Sequence, residues 1–164
     1  MAQRAVSQQE LFAFIHEREF RTAALMLKTF PDEFFEAPLT PLGRSAREAS
    51  LALIRNEYLL QDVIGTASGW PNPTPVSRED ILDTYEAAHR ATRSALPRLS
   101  EELWNEPLCV AELGLMEPVL RSDLLWIALE DLIDQVEQLA TNLRALEPIP
   151  ASLSLMIQGL ELSA

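Results

Sequence analysis

A regular leucine pattern in the last third of the chain constrains its fold most strongly. From about residue 122 to 146, apolar side chains recur at alternating steps of four and three residues, which is typical of a helix face that packs on other helices. The seven positions are Leu125, Leu129, Leu132, Val136, Leu139, Leu143 and Leu146. The pattern predicts a long helix from Ser122 to Leu146, with Leu129, Leu132, Val136 and Leu139 in a helical core.

Three further helices are predicted earlier in the chain. Each begins with a serine that is followed three residues later by an acidic residue, which is the signature of a capping box. The pairs are Ser7 with Glu10, Ser45 with Glu48, and Ser77 with Asp80. The predicted helices run from about Ser7 to Phe30, from about Ser45 to Ile64, and from Ser77 until Pro97 disturbs the last of them.

Clusters of proline and glycine separate these helices, at residues 30–43, 65–77, 105–118 and 147–150. Between the clusters no sustained alternation indicates strands. The chain is therefore predicted to be all-α, a four-helix bundle with a short C-terminal helical tail, because four amphipathic helices bury their apolar stripes best against one another. With 164 residues, of which 48% are hydrophobic, we expect a single domain, with its core at about 7–147 and the tail at 151–164.

The charge of the chain argues against two classes of partner. It has 13 basic and 25 acidic residues, a formal net charge of -12, which repels nucleic acid and anionic membrane surfaces. The longest uncharged run, 63–77, contains glycine and proline and does not resemble a membrane span. Because Cys109 is the single cysteine and the N-terminus lacks the apolar region of a secretory signal, we expect a cytoplasmic protein.

Three blocks of the sequence resemble, in order and spacing, those of the DinB/YfiT-like superfamily. They are "GRSAREASLALIRNEYLL", "SREDILDTYEAAHRATRSALPRLSEELWNEPL" and "RSDLLWIALEDLIDQVEQLATNLRALEPIP", within about residues 30–150. The resemblance implies a four-helix bundle, in which many members hold a divalent metal with one histidine from the second helix and an H-x-x-x-H pair from the fourth. The family includes thiol-dependent transferases and many proteins of unknown activity.

This chain departs from the family at the metal ligands. The resemblance places Ala52 or Leu53 at the first histidine position, and Asp131 and Gln135 at the H-x-x-x-H pair. Because these residues lack the nitrogen donors that Zn and Ni favour, we expect no tightly bound transition metal and no cofactor.

Other catalytic groups are sparse. The two histidines, His16 in the charged run "HERE" and His89 beside Arg90, are expected to be solvated surface residues. Cys109 is expected in a loop, where a free cysteine more often behaves as a small buried hydrophobic residue than as a nucleophile. The sequence shows no serine–histidine–acid pattern and no glycine-rich phosphate loop.

One candidate ligand pocket remains, between the second and fourth predicted helices. Helical spacing places Glu57 among apolar neighbours, so that it points inward, and places Asp131 and Gln135 beside the leucine stripe. The three side chains either converge on a polar pocket, whose oxygen donors would suit Mg, Mn or Ca, or lie at helix boundaries, with Glu57 reaching towards water. The sequence leaves both alternatives open.

These observations favour a divergent family member that has lost the metal and binds a small ligand or a protein partner. The alternative is a metal-dependent thiol transferase or hydrolase that uses a substituted, carboxylate-rich site. We also expect a homodimer, because the tail leaves an amphipathic patch that needs a partner surface. The patch consists of Leu153, Met156, Ile157 and Leu160.

Overall fold

The computed structural model of the protein describes residues 6–39, 43–66, 74–109 and 117–146. Four long helices dominate these residues: α1 (Gln8–Thr29), α2 (Ala46–Ile64), α3 (Arg78–Ala95) and α5 (Arg121–Leu146). The short elements are the 3-10 turns Asp32–Phe34 and Leu96–Arg98, the helix α4 (Glu101–Trp104), and the strands β1 (Pro107–Leu108) and β2 (Val119–Leu120). The all-α prediction is confirmed for the described residues, and the tail at 151–164 lies outside them.

The predicted helix starts are confirmed at all three capping boxes. In α1, the Ser7 hydroxyl accepts a hydrogen bond from the Glu10 N–H, and the Glu10 carboxylate accepts one from the Ser7 N–H. The same reciprocal pair begins α2 and α3. At the other end of α2, Gly65 adopts the left-handed conformation, with φ of 90°, and its N–H donates to the last turn of the helix.

Each long helix packs against two of the other three. Helices α1 and α2 do not pack closely on each other, but each contacts both α3 and α5. The core lies between them and includes the four residues predicted from the leucine stripe, Leu129, Leu132, Val136 and Leu139, all buried. This part of the prediction is confirmed. It is also the arrangement that allows side chains from α1, α2 and α3 to meet in the interior.

A short antiparallel strand pair, β1 with β2, was not predicted. Each strand has two residues, which is too short for the alternation that identifies a strand in sequence. Arg121, at the start of α5, connects this pair to α2. Its backbone N–H donates to the Glu106 carbonyl at 2.9 Å, and its guanidinium donates to the Val63 carbonyl at 2.6 Å and to the Glu106 carboxylate at 2.5 Å.

Two other sequence expectations can be compared with the structure. None of the helices in the described ranges is long and apolar enough to cross a bilayer. Cys109 lies outside the helices and strands, as expected, but it is exposed rather than buried. Cys109 is exposed because it directly follows β1 at the surface of the protein.

The leucine stripe gives the first testable prediction. Leu132 is fully buried, so Leu132→Ala should lower the free energy of unfolding by about 2 to 5 kcal/mol, because burial is lost and a cavity remains. Ile127 of the same helix is 58% exposed, and Ile127→Ala is the control that should change stability little. Urea unfolding followed by circular dichroism measures both. Equal losses in the two variants would contradict the assignment of the core.

Candidate functional site

A buried cluster of one carboxylate and two imidazoles lies where α1, α2 and α3 meet. His16 comes from α1, Glu57 from α2 and His89 from α3, and all three are at least 97% buried. The His16 Nε2 lies 3.0 and 3.1 Å from the two Glu57 carboxylate oxygens, and the His89 Nδ1 lies 3.1 Å from Glu57 Oε1. The three side chains therefore form a continuous hydrogen-bond network that links α1, α2 and α3.

The burial of both histidines corrects the expectation that they are solvated surface residues. His16 is 1% exposed because it follows Phe12 by one helical turn and belongs to the buried face of α1. His89 is 3% exposed and follows the buried Tyr85 by the same step on α3. The charged neighbours in "HERE" indicated a solvent-exposed position for His16. Each histidine, however, lies one helical turn after a buried aromatic residue, and this spacing places it on the buried face of its helix.

A second carboxylate extends the cluster beyond His89. The His89 Nε2 lies 3.1 Å from Glu17 Oε2, so the two ring nitrogens face two different carboxylates. Glu17 in turn accepts a hydrogen bond from Arg21 at 2.8 Å and lies 3.6 Å from Arg93. Because a carboxylate only accepts hydrogen bonds, His89 satisfies both contacts when both of its nitrogens carry protons.

The charges around Glu57 hold it in the ionised form. Burial acts to raise the pKa of Glu57, but the positive charge of His16, the hydrogen bonds from His16 and His89, and the charge of His89 outweigh it and lower the pKa to about 2. Burial also acts to raise the pKa of Glu17, but the hydrogen bonds from Arg21 and His89 and the charges of Arg93 and His89 outweigh it and lower that pKa. Two carboxylates thus face the buried histidines as anions.

Aromatic rings fix the orientation of the imidazoles. Phe20 stacks on His89 with 3.7 Å between ring centroids and 2° between the planes, and the centroids of His16 and His89 lie 4.5 Å apart. Phe20 also packs against Tyr85, whose buried hydroxyl has no hydrogen-bond partner among the described residues. Burial, followed by the charges of Glu57 and Glu19, raises the pKa of Tyr85 well above its usual value, so the phenol stays neutral.

A cavity of about 510 Å³ opens beside the cluster, at the junction of α1, α3 and α4. His16 and Glu17 form part of its wall. The remaining lining residues are Gln9, Glu10, Ala13, Phe14, Arg93, Leu96, Pro97 and Trp104. This volume is in the range of small-molecule sites, and the wall combines aromatic and aliphatic surface with a few charged groups.

The structure separates the three residues of the predicted pocket. Glu57 points inward, as predicted, but its hydrogen bonds go to α1 and α3. Asp131 is exposed, and Gln135 is buried, where its side-chain oxygen accepts a hydrogen bond from Arg44 at 3.2 Å. No hydrogen bond links the three, because the face of α2 that carries Glu57 is turned towards α1 and α3 rather than α5.

The positions at which the resemblance implies metal ligands do not fit a metal. Ala52 and Leu53 are buried and offer no donor atom. Gln135 is engaged with Arg44, and the carboxylate of Asp131 lies at the surface. In the described part of the chain, His16, Glu57 and His89 are the one group of histidine and acidic side chains whose donor atoms and burial both suit an ion.

No protein-family model fits the chain, and no curated protein is significantly similar to it.

The ionised state of Glu57 gives a prediction for the dependence of stability on pH. Because the folded pKa of about 2 lies below the ordinary value of 4.5, this carboxylate contributes stability that is fully present above pH 4.5 and is lost as the pH falls towards 2. Near pH 6, Glu57→Gln should lower the free energy of unfolding by on the order of 3 kcal/mol. The difference from the unmodified protein should shrink between pH 4.5 and 2.

Urea unfolding at a series of pH values measures this dependence. The matched control is Glu33→Gln, because Glu33 is an exposed glutamate of the first 3-10 turn. The control should follow the unmodified protein at every pH. A Glu57→Gln protein whose deficit stays constant from pH 6 to pH 3 would contradict the assignment of a buried anion.

Proposed function

We propose that the chain is a binding protein for a small, largely apolar molecule, which it receives in the cavity beside His16. The observation that carries the proposal is the cavity itself: about 510 Å³ of space whose wall includes part of a buried charged cluster. Sites for small molecules typically combine a mostly apolar wall with a few fixed polar groups. The hydrogen-bonded cluster supplies such groups with little freedom to move.

The wall indicates the chemical class of the ligand. Phe14, Leu96, Pro97 and Trp104 offer apolar surface for an aromatic or aliphatic body. Glu10, Glu17 and Arg93 add charged groups to the wall. A ligand with an apolar body and one polar group therefore matches the wall best.

The family assignment is part of the same proposal. We take the chain to be a divergent DinB/YfiT-like four-helix bundle, supported by four long helices that each pack against two others. In this proposal it acts in the cytoplasm and has lost the family's metal positions. It then binds its ligand through α1, α3 and α4, rather than through Asp131 and Gln135 of α5.

The alternative function, a metal-dependent thiol transferase or hydrolase, is favoured by one observation. Two imidazoles and a carboxylate lie beside the cavity, and that donor set can hold an ion which activates a thiol or water. Hydrolysis of p-nitrophenyl acetate by zinc-loaded protein, abolished in Glu57→Gln, would favour the enzyme. Equal rates of hydrolysis in both proteins would contradict the enzymatic alternative.

Filling the cavity tests the binding function. Ala13 lies on the cavity wall, so Ala13→Phe should occupy the space and weaken binding of the fluorescent probe N-phenyl-1-naphthylamine at least about tenfold, the equivalent of 1.4 kcal/mol. The unmodified protein should bind one equivalent with saturable enhancement of the probe's fluorescence.

The matched control is Ala91→Phe, which places the same side chain on an exposed position of α3 that does not line the cavity. It should bind the probe as the unmodified protein does. Absence of saturable binding, or equal binding by Ala13→Phe, would refute the cavity as the ligand site.

A homodimer is proposed on the basis of the apolar tail, whose residues lie outside the described ranges. Light scattering should give twice the chain mass for the full-length protein and the chain mass for a version ending at Pro150, because the amphipathic patch is removed. A monomer in both cases would contradict the dimer. A dimer in both would place the interface elsewhere.

A further inference from the structure

The buried cluster presents three donor atoms that converge from three helices. They are His16 Nε2, Glu57 Oε1 and His89 Nδ1, and all lie within 4.8 Å of one another. Each of the three side chains is buried, and both histidines are hydrogen-bonded to Glu57. The donor atoms therefore share one small volume in the interior.

The spacing of these atoms suits a first-row metal ion. Zinc lies about 2.1 Å from imidazole nitrogen and carboxylate oxygen, so two ligands at right angles are about 3.0 Å apart, and about 3.4 Å apart at the tetrahedral angle. The observed nitrogen–oxygen separations are 3.0 Å for His16 and 3.1 Å for His89. An ion could replace the bridging protons with small movements of the side chains.

The surroundings of His89 match the second shell of a metal site. A histidine that binds metal through one nitrogen usually donates its other N–H to a carboxylate, which fixes the ring and strengthens the ligand. The His89 Nε2 faces Glu17 at 3.1 Å, and Arg21 and Arg93 hold Glu17 in place. Phe20, stacked on the imidazole, restricts rotation of the ring.

We propose that His16, Glu57 and His89 form a binding site for a divalent first-row transition metal ion, of the class of Zn²⁺ or Co²⁺. Two imidazoles with one carboxylate favour these ions over Ca²⁺ and Mg²⁺, which prefer sets of oxygen ligands. Three protein ligands leave at least one coordination position open. Because His16 also lines the cavity, an ion enters from that side, and the open position is accessible to a molecule held there.

The first experiment is a metal titration of untagged, chelator-treated protein. Isothermal titration calorimetry with ZnCl₂ should give one bound equivalent, and CoCl₂ should give a visible spectrum distinct from that of the aqueous ion. His89→Gln and Glu57→Gln should each weaken zinc binding at least about a hundredfold, since each removes a ligand. Glu33→Gln is the matched control, and it should bind as the unmodified protein does.

A milder variant tests the second shell. Glu17→Gln keeps all three ligands, so it should retain the cobalt spectrum while zinc affinity falls about 10- to 100-fold. A structural role alone would lower the melting temperature of Glu17→Gln without changing zinc affinity. This variant and the cobalt spectrum of the unmodified protein decide the question if a ligand variant fails to fold.

Three results would overturn the metal site. They are the absence of saturable binding, a cobalt spectrum identical to that of the aqueous ion, and zinc affinity unchanged in a folded His89→Gln protein. The site does not rest on the proposed ligand binding, because the titration uses no organic ligand and the naphthylamine experiment uses metal-free protein. Failure of either experiment leaves the other interpretable.

Discussion

The ionised carboxylate of Glu57, buried between two histidines, is the interaction on which the arrangement of α1, α2 and α3 depends. Removing a carboxylate from water costs several kcal/mol, which is recovered only where partners of opposite charge and good geometry surround it. His16 and His89 provide those partners, at 3.0 and 3.1 Å. Because α1 and α2 do not pack closely on each other, the Glu57–His16 contact joins two helices that the apolar core links mainly through α3 and α5.

We propose that the cluster and the cavity form one functional unit. His16 belongs to both, and Glu17 contacts His89 while lining the cavity. A molecule in the cavity therefore meets groups whose charge and orientation are set by the buried network. Arg93, at the cavity wall and 3.6 Å from Glu17, brings a positive charge to this side of a chain whose formal net charge is -12. We propose that the same few residues influence stability, ligand contact and ion binding.

Much of the fold could be predicted from the sequence because its determinants are local. The leucine stripe of α5 and the three capping boxes depend on spacings within one helix, and both were confirmed. The site depends on how helices face one another, which spacing along one helix does not reveal. Glu57 could be recognised as inward-facing, but its partners lie 41 and 32 residues away along the chain.

The histidines show why neighbouring residues in the sequence led to a wrong prediction of solvent exposure. The charged neighbours of His16 suggested solvent, yet His16 follows the buried Phe12 by four residues, and one helical turn decides the direction of the side chain. Asp131 and Gln135 drew attention because the family resemblance marks their positions. The structure gives them different roles, Asp131 at the surface and Gln135 as a partner of Arg44. Convergence of side chains from three helices is the feature that only the fold reveals.

An anomalous diffraction measurement distinguishes a metal site in the cluster from an ion network that only stabilises the fold. Crystals of untagged protein grown with CoCl₂ would be measured on both sides of the cobalt absorption edge. We expect a single strong anomalous peak between His16 Nε2, Glu57 Oε1 and His89 Nδ1. Cobalt bound at surface carboxylates, with the three side chains still joined by direct hydrogen bonds, would contradict it.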